Sequence, residues 1–138
     1  MPAGQKAFTQ LHVLVFRGTR GLIGGRMFLV ENVLLTTTGR KSGKQRVTPL
    51  TATLDGDRVV LVASNGGAPK HPDWYLNLQA DPHVTVQRGG SALAMLARTA
   101  SAEERAELWP RVVATFKGYD GYQKRTEREI PLVICEPA

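Results

Sequence analysis

With one cysteine in 138 residues, several chemistries are closed to this chain. Cys135 has no partner for an intrachain disulfide, and the usual cysteine-based zinc sets need more thiols than are present. The chain therefore fits a reducing compartment, and within its terminal apolar run Cys135 reads as a structural thiol rather than a nucleophile. Histidine is also sparse: His12, His71 and His83 stand far apart with no HxxxH spacing, so no metal is assigned. No apolar run approaches the ~18 residues that a membrane-spanning helix needs. The first residues lack the long apolar stretch and small-residue cleavage site of a secretory signal, which points to the cytoplasm. No GxSxG elbow, GxxxxGK[ST] loop or GxGxxG turn occurs.

Acidic residues are nearly missing from one part of the chain. Residues 1–54 hold eight Lys and Arg against Glu31 alone, a net +7, whereas residues 55–138 hold ten cations and eleven acids, a net −1. The whole excess lies in the first 54 residues and favours an anionic partner for that part. Nucleic acid fits poorly, because aromatic residues interleaved with the cations are absent from residues 32–54.

What is present is a hydrophobic content of 42% with 22% charged residues, at a length that suits one globular domain. Apolar residues Phe8, Leu11, Leu14 and Val15 recur at helical spacing over Lys6–Phe16, ahead of a glycine-rich stretch. That amphipathic helix either lies on an anionic membrane surface or packs on its own domain or a second subunit. Val33–Thr37 and Val47–Leu54 read as strands joined by a loop with Gly39, Ser42, Gly43 and the cations Arg40, Lys41, Lys44 and Arg46. Such a loop is either a solvated basic tip or a seat for an anionic group. Asp55-Gly56-Asp57 turns the chain into a strand over Val59–Ala63.

Ser64-Asn65-Gly66-Gly67 then opens a loop running to Pro72, with Lys70 and His71 at hand. Asp73 reads as the cap of a short helix over Trp74–Gln79. The hydroxyl, amide and backbone donors with Trp74 and Tyr75 suit a flat heterocycle, or else form a surface loop beside a core tryptophan. His83–Arg88 and Ala92–Arg98 read as strands. Ser101 and Glu104 form a capping box for a helix that Pro110 bends or restarts and that ends near Gly118. Tyr119 and Tyr122 are either packing residues or proton donors. Ile130–Cys135 reads as the last strand. About six strands, mostly in hairpins, predict a mainly β chain with flanking helices (α+β), a small barrel with helices outside.

The text LLTTTGRKSG, RVTPL, DGDRVVLVASNGGAPKHPDWYLNL, SAEERAELWP and GYDGYQKRTEREIPLVICEP, in that order from residue 33 onward, resembles the deazaflavin-dependent nitroreductase and quinone reductase family of actinobacteria. The resemblance implies a split β-barrel of the FMN-binding, pyridoxamine phosphate oxidase-like kind over residues 26–138, after an N-terminal helix and linker over 1–25. It implies coenzyme F420 as cofactor, its reduced deazaflavin passing hydride to quinones or nitroaromatic compounds. The coenzyme's anionic phosphodiester and oligoglutamate tail would account for the N-terminal charge. Residue by residue, Arg40, Lys41 and Ser42 match the phosphate turn. Arg46, Val47, Thr48, Pro49, Leu50 and Thr51 match the segment under the cofactor, and Val62, Ala63, Ser64 and Asn65 the strand end beside it. Asp73, Trp74, Tyr75, Leu76 and Asn77 match the helix walling the site. Tyr119 matches an active-site tyrosine, with Tyr122 and Ser64 as its associates. Asn65 and Phe116 depart from residues found in relatives. An FMN- or haem-binding barrel and a non-catalytic basic binding protein are the alternatives. The reading leaves room for a homodimer and for peripheral membrane contact through the N-terminal helix.

Overall fold

A computed structural model describes residues 29–138 together with the backbone of Leu22–Ile23 (β1) and Arg26–Met27 (β2), which pair antiparallel. The helix expected over Lys6–Phe16 lies outside the described residues. Six strands close into an antiparallel barrel: β3 (Leu29–Thr38), β4 (Gln45–Asp55), β5 (Arg58–Val62), β6 (His83–Arg88), β7 (Ser91–Thr99) and β8 (Leu132–Pro137), in the order β3-β4-β5-β8-β7-β6. Closure leaves the barrel no open edge.

Alternation along the strands fills the interior. Val33 and Leu35 of β3, Ala52 and Leu54 of β4, and Val84 and Val86 of β6 meet Val133 and Cys135 of β8 there. β5 and β8 are buried on both faces, because α2 (Ala102–Thr115) lays Leu108 and Val112 over Val60, Val62, Leu132 and Ile134. Their near-continuous apolar runs, Val59–Val62 and Leu132–Cys135, are the sequence trace of that double cover. The capping box forms as expected: Ser101 Oγ accepts from the Glu104 amide at 3.2 Å, and Glu104 Oε1 from the Ser101 amide at 2.9 Å.

Strand direction puts the connections of interest at one mouth. β3 and β5 both run antiparallel to β4, so the 39–44 loop and the loop after Val62 leave the same end. α1 (Asp73–Ala80) leads into β6 at that end. The crossover from β7 to β8, carrying α2 and α3 (Gly118–Lys124), leaves and returns there. The turns at 56–57 and 89–90 close the other mouth.

Several boundaries differ from the sequence expectation: β3 begins at Leu29 rather than Val33 and β4 at Gln45 rather than Val47. Pro72, not Asp73, occupies the N-cap of α1, where its fixed φ of −65° suits the entry and no side chain caps. α2 continues through Pro110 and ends at Thr115, because Leu108 and Val112 hold both sides of the proline to the barrel. Tyr119 and Tyr122 lie on a separate short helix, α3. The last strand is Leu132–Pro137, since Ile130 and Pro131 lead into it, with the Pro131 carbonyl accepting from the Ala63 amide.

Candidate active site

Two groups of expected site residues sit at this mouth. The first lines an open cavity of about 680 Å³ between the 39–44 loop, the start of β4 and α1. Gly39 starts the loop: its amide donates to the Lys44 carbonyl at 2.7 Å and its carbonyl accepts from the Gly43 amide at 2.8 Å. A Cβ on Gly39 would stand 2.8 Å from Ser42 Oγ and 3.2 Å from the Lys44 carbonyl, so a side chain there would force Ser42 to turn away. The Lys44 amide donates to Ser42 Oγ at 3.1 Å, which leaves the Ser42 proton available to an acceptor in the cavity.

Arg40 is built in rather than loose. Asn77 Oδ1 accepts from the Arg40 amide at 3.2 Å and from its guanidinium at 2.9 Å, while Asn77 Nδ2 donates to Thr37 Oγ1 at 3.3 Å. The guanidinium also meets Asp73 Oδ1 at 3.4 Å. Asn77 is 4% exposed, so a buried amide pins the turn to α1. Lys41 and Arg46, also on the cavity wall, have no acidic partner among the described residues. One carboxylate against three cations leaves the wall positive, and this donor set suits a ligand bearing phosphate or carboxylate groups.

The period of two divides the β4 residues between faces. Leu50 packs with Ala52 and Leu54 on the interior cluster, and alternation puts Arg46 and Thr48 on that same face above them. Val47, Pro49 and Thr51 take the outer face, where Val47 is 59% exposed. The cavity brings together Arg40, Lys41, Ser42, Arg46, Val47, Thr48, Asp73, Trp74 and Asn77; Pro49, Leu50, Thr51 and Leu76 do not line it. Tyr75 does not offer aromatic surface there. It is buried in the interior, with its hydroxyl 2.8 Å from Thr99 Oγ1 and accepting from Gln79 Nε2 at 3.1 Å.

The second group gathers around the Gly-rich loop and α3, off the lining of that cavity. Val62 faces the outer cluster and Ala63 the interior, with Ser64 buried beyond them. Asn65 is exposed at φ +47°, and its Nδ2 donates to the Lys70 carbonyl at 3.1 Å. Gly67, at φ +83°, lies so close to α3 that a Cβ would stand 2.8 Å from the Tyr122 carbonyl. Tyr119, 8% exposed, packs in the outer cluster with its ring centroid 4.8 Å from Phe116 and 6.4 Å from Tyr122. Burial first, and the neighbouring Tyr122 second, push the Tyr119 hydroxyl up to about 12, so it is a protonated donor at neutral pH.

Gly39, placed in the basic loop from the sequence, lines the cavity as well; sequence reasoning did not single out Gln45 on its wall, nor Arg128 beside the Gly-rich loop. Arg128, inside the charged run KRTERE, had no signal.

Comparison with known proteins agrees with this architecture. A pyridoxamine 5'-phosphate oxidase-like protein of Listeria innocua matches the fold with a TM-score of 0.54 at 13% identity, over 77% of this chain and 82% of its own. An F420-H2-dependent reductase of known structure is 45% identical with a TM-score of 0.71, over 76% of this chain and 93% of its own. An F420H(2)-dependent quinone reductase of Mycobacterium tuberculosis is 40% identical over 129 residues, 91% of this chain and 87% of the relative. The split-barrel class fixed by the strand order is thus shared by proteins of different identity. Within that class, residues 8–137 match the F420H(2)-dependent quinone reductase family, and the chain belongs to it. It is an oxidoreductase whose cofactor is reduced coenzyme F420. No described helix is long and apolar enough to cross a membrane.

Proposed function

We propose that the protein transfers hydride from reduced coenzyme F420 to a quinone, with nitroaromatic compounds as incidental acceptors. The cationic cavity carries this reading: Lys41, Arg46 and the Ser42 hydroxyl, with Arg40 set in place by Asn77, would hold the coenzyme's phosphodiester and glutamate tail. The coenzyme supplies the hydride. The chain's own residues orient the two partners, keep water out and provide a proton. Tyr119 is the residue we assign to acceptor placement or protonation, assisted by Tyr122 and Ser64. Its buried hydroxyl stays protonated at neutral pH, and the Phe116 and Tyr122 rings fix its position.

The direct test offers the purified protein F420, FMN and haem at equal concentration and follows fluorescence or absorbance. Binding of F420 alone, followed by faster turnover of a quinone than of a nitroaromatic, is the expected result. Preferential binding of FMN or haem would sink the proposal. The homodimer and the contact with an anionic membrane belong to the same reading. Sedimentation of the full chain, alone and with anionic vesicles, decides both.

A further inference from the structure

Arg128 lies between α3 and β8, in a segment that the proposed function does not use. Its guanidinium reaches back to the Gly-rich loop, whose bonded residues lie 57 to 65 positions earlier in the chain. Nε donates to the Ala68 carbonyl at 2.9 Å, one terminal nitrogen to the Ser64 carbonyl at 2.7 Å, and the other to the Ala63 carbonyl at 3.2 Å. That last nitrogen also lies 3.1 Å from His71 Nδ1. An arginine only donates, so His71 Nδ1 must accept, and the neutral ring carries its proton on Nε2. Four of the five N–H donors of the fork are thereby used, all on one loop, and no carboxylate pairs with Arg128 among the described residues. A structural cation usually sits against an acid. This one is spent on holding backbone carbonyls.

Both sides of the loop matter to the site. On one side His71 packs its ring 4.9 Å from that of Tyr75 on α1, the helix that carries Asn77 and Asp73. On the other, Gly67 presses on Tyr122 of α3. The Arg128 segment is itself braced from α3: Gln123 Nε2 donates to the Arg128 carbonyl at 2.8 Å, and Gln123 Oε1 accepts from the Ile130 amide at 2.9 Å. A continuous chain of contacts therefore runs from α3 through Arg128 and the loop to α1.

We infer that Arg128 is a positioning residue that clamps the Gly-rich loop between α1 and α3, so setting Ser64 and Tyr122 relative to the cationic cavity. This rests on the hydride-transfer reading and deepens it: acceptor placement depends on a guanidinium whose bonds go to the Gly-rich loop and not to the cationic cavity. A bond network of this kind loosens in a defined way when the fork is removed.

Arg128→Met in the full-length chain is the test, read in three ways. Amide exchange at Gly67 and Ala68 should quicken at least tenfold. The His71 titration, which burial and then the Arg128 charge hold below the usual histidine range, should move upward in NMR spectra. Quinone turnover should fall at least tenfold while affinity for reduced F420 moves threefold or less, because the hairpin cations are untouched. Arg128→Lys keeps the charge but not the fork, and guards against a variant that fails to fold. It should show intermediate exchange and turnover. Unchanged exchange and His71 titration in either variant overturn the clamp, and a loosened loop with wild-type turnover overturns its link to acceptor placement. The exchange and titration readouts need no turnover. If neither wild type nor variant reduced a quinone while both readouts still separated them, the clamp would stand and the hydride-transfer reading would fall.

Discussion

The cationic cavity and the tyrosine corner sit at the same mouth of the barrel and are built on opposite principles. Around the cavity residues 40–47, from the loop into β4, are exposed, and the wall is charged, with Lys41 and Arg46 lacking acidic partners among the described residues. Around Tyr119 nearly everything is apolar and packed: Leu108, Val112, Ile130 and Leu132 share its cluster. The contrast follows from what each must keep. A cation buried without an anion would lose its charge or destabilise the fold, so a site awaiting an anionic ligand stays wet until the ligand arrives. A phenol meant to hold an acceptor through its O–H gains from dryness, which keeps it protonated and fixes its direction, although the raised pKa makes it a weaker acid. One region should therefore govern affinity and the other turnover, and the two should fail separately.

The largest expected effect breaks the cavity side. Arg40→Ala with Lys41→Ala should weaken F420 binding by ~2–4 kcal/mol, as charge-assisted bonds are worth roughly 1.5–3 kcal/mol each and overlap. An exposed basic turn would predict no change in stability, but Arg40 is bonded to Asn77 and Asp73. The double variant should also lose about 1 kcal/mol of fold stability, and Lys41→Ala alone should lose none. Titration by fluorescence and thermal unfolding separate the two. Wild-type affinity in the double variant would return the turn to a solvated tip.

Next comes the corner. Tyr119→Phe removes one hydroxyl and leaves the ring packing against Phe116 and Tyr122 in place. Turnover should fall by roughly 10²-fold, the low end of general-acid contributions, while F420 affinity changes by less than ~1 kcal/mol. Tyr122→Phe should lose less. Wild-type turnover of both a quinone and a nitroaromatic by the Tyr119 variant would remove this hydroxyl from the chemistry.

Asn77→Ala sharpens the comparison from within. It strips Arg40 and Thr37 of a buried partner and should cost about 1–3 kcal/mol of stability, the range for leaving buried polar groups unsatisfied. F420 affinity should drop with it and quinone turnover at saturating coenzyme should not. A fall in turnover alone would mean that Asn77 serves the corner.

The barrel was largely legible because its strands alternate or, in β5 and β8, run continuously apolar between turn signals. The basic loop was legible because its glycines and cations are adjacent in sequence. Two things were hidden. Tyr75 looked like surface beside a loop, since nothing local reveals that Thr99, from the end of a distant strand, waits for its hydroxyl. Arg128 sat in a charged run that reads as solvated, yet its partners stand some 60 residues earlier, at Ala63, Ser64 and Ala68. Side chains that work through backbone carbonyls far away leave no spacing to read.

The smallest effect concerns α2, which covers the tyrosine corner and does not touch the cavity wall. Glu104 closes its capping box and also receives Arg98 at 2.7 Å and 2.9 Å. Arg98 first, and the Ser101 amide second, lower the Glu104 carboxyl to about 2, from 4.5 in an unstructured chain. A lowered folded-state value means that the stabilisation is fully present above pH 4.5 and is lost as pH falls towards 2. Glu104→Gln keeps the shape and removes the charge, so it should cost about 0.5–1 kcal/mol at neutral pH, the scale of a half-exposed pair with a cap. Thermal unfolding of wild type and variant should differ most above pH 4.5 and converge near pH 2. F420 affinity should stay unchanged, since Glu104 lies away from the cavity, and a constant gap in unfolding temperature across that window would show that the ionised carboxylate is not what holds the cap.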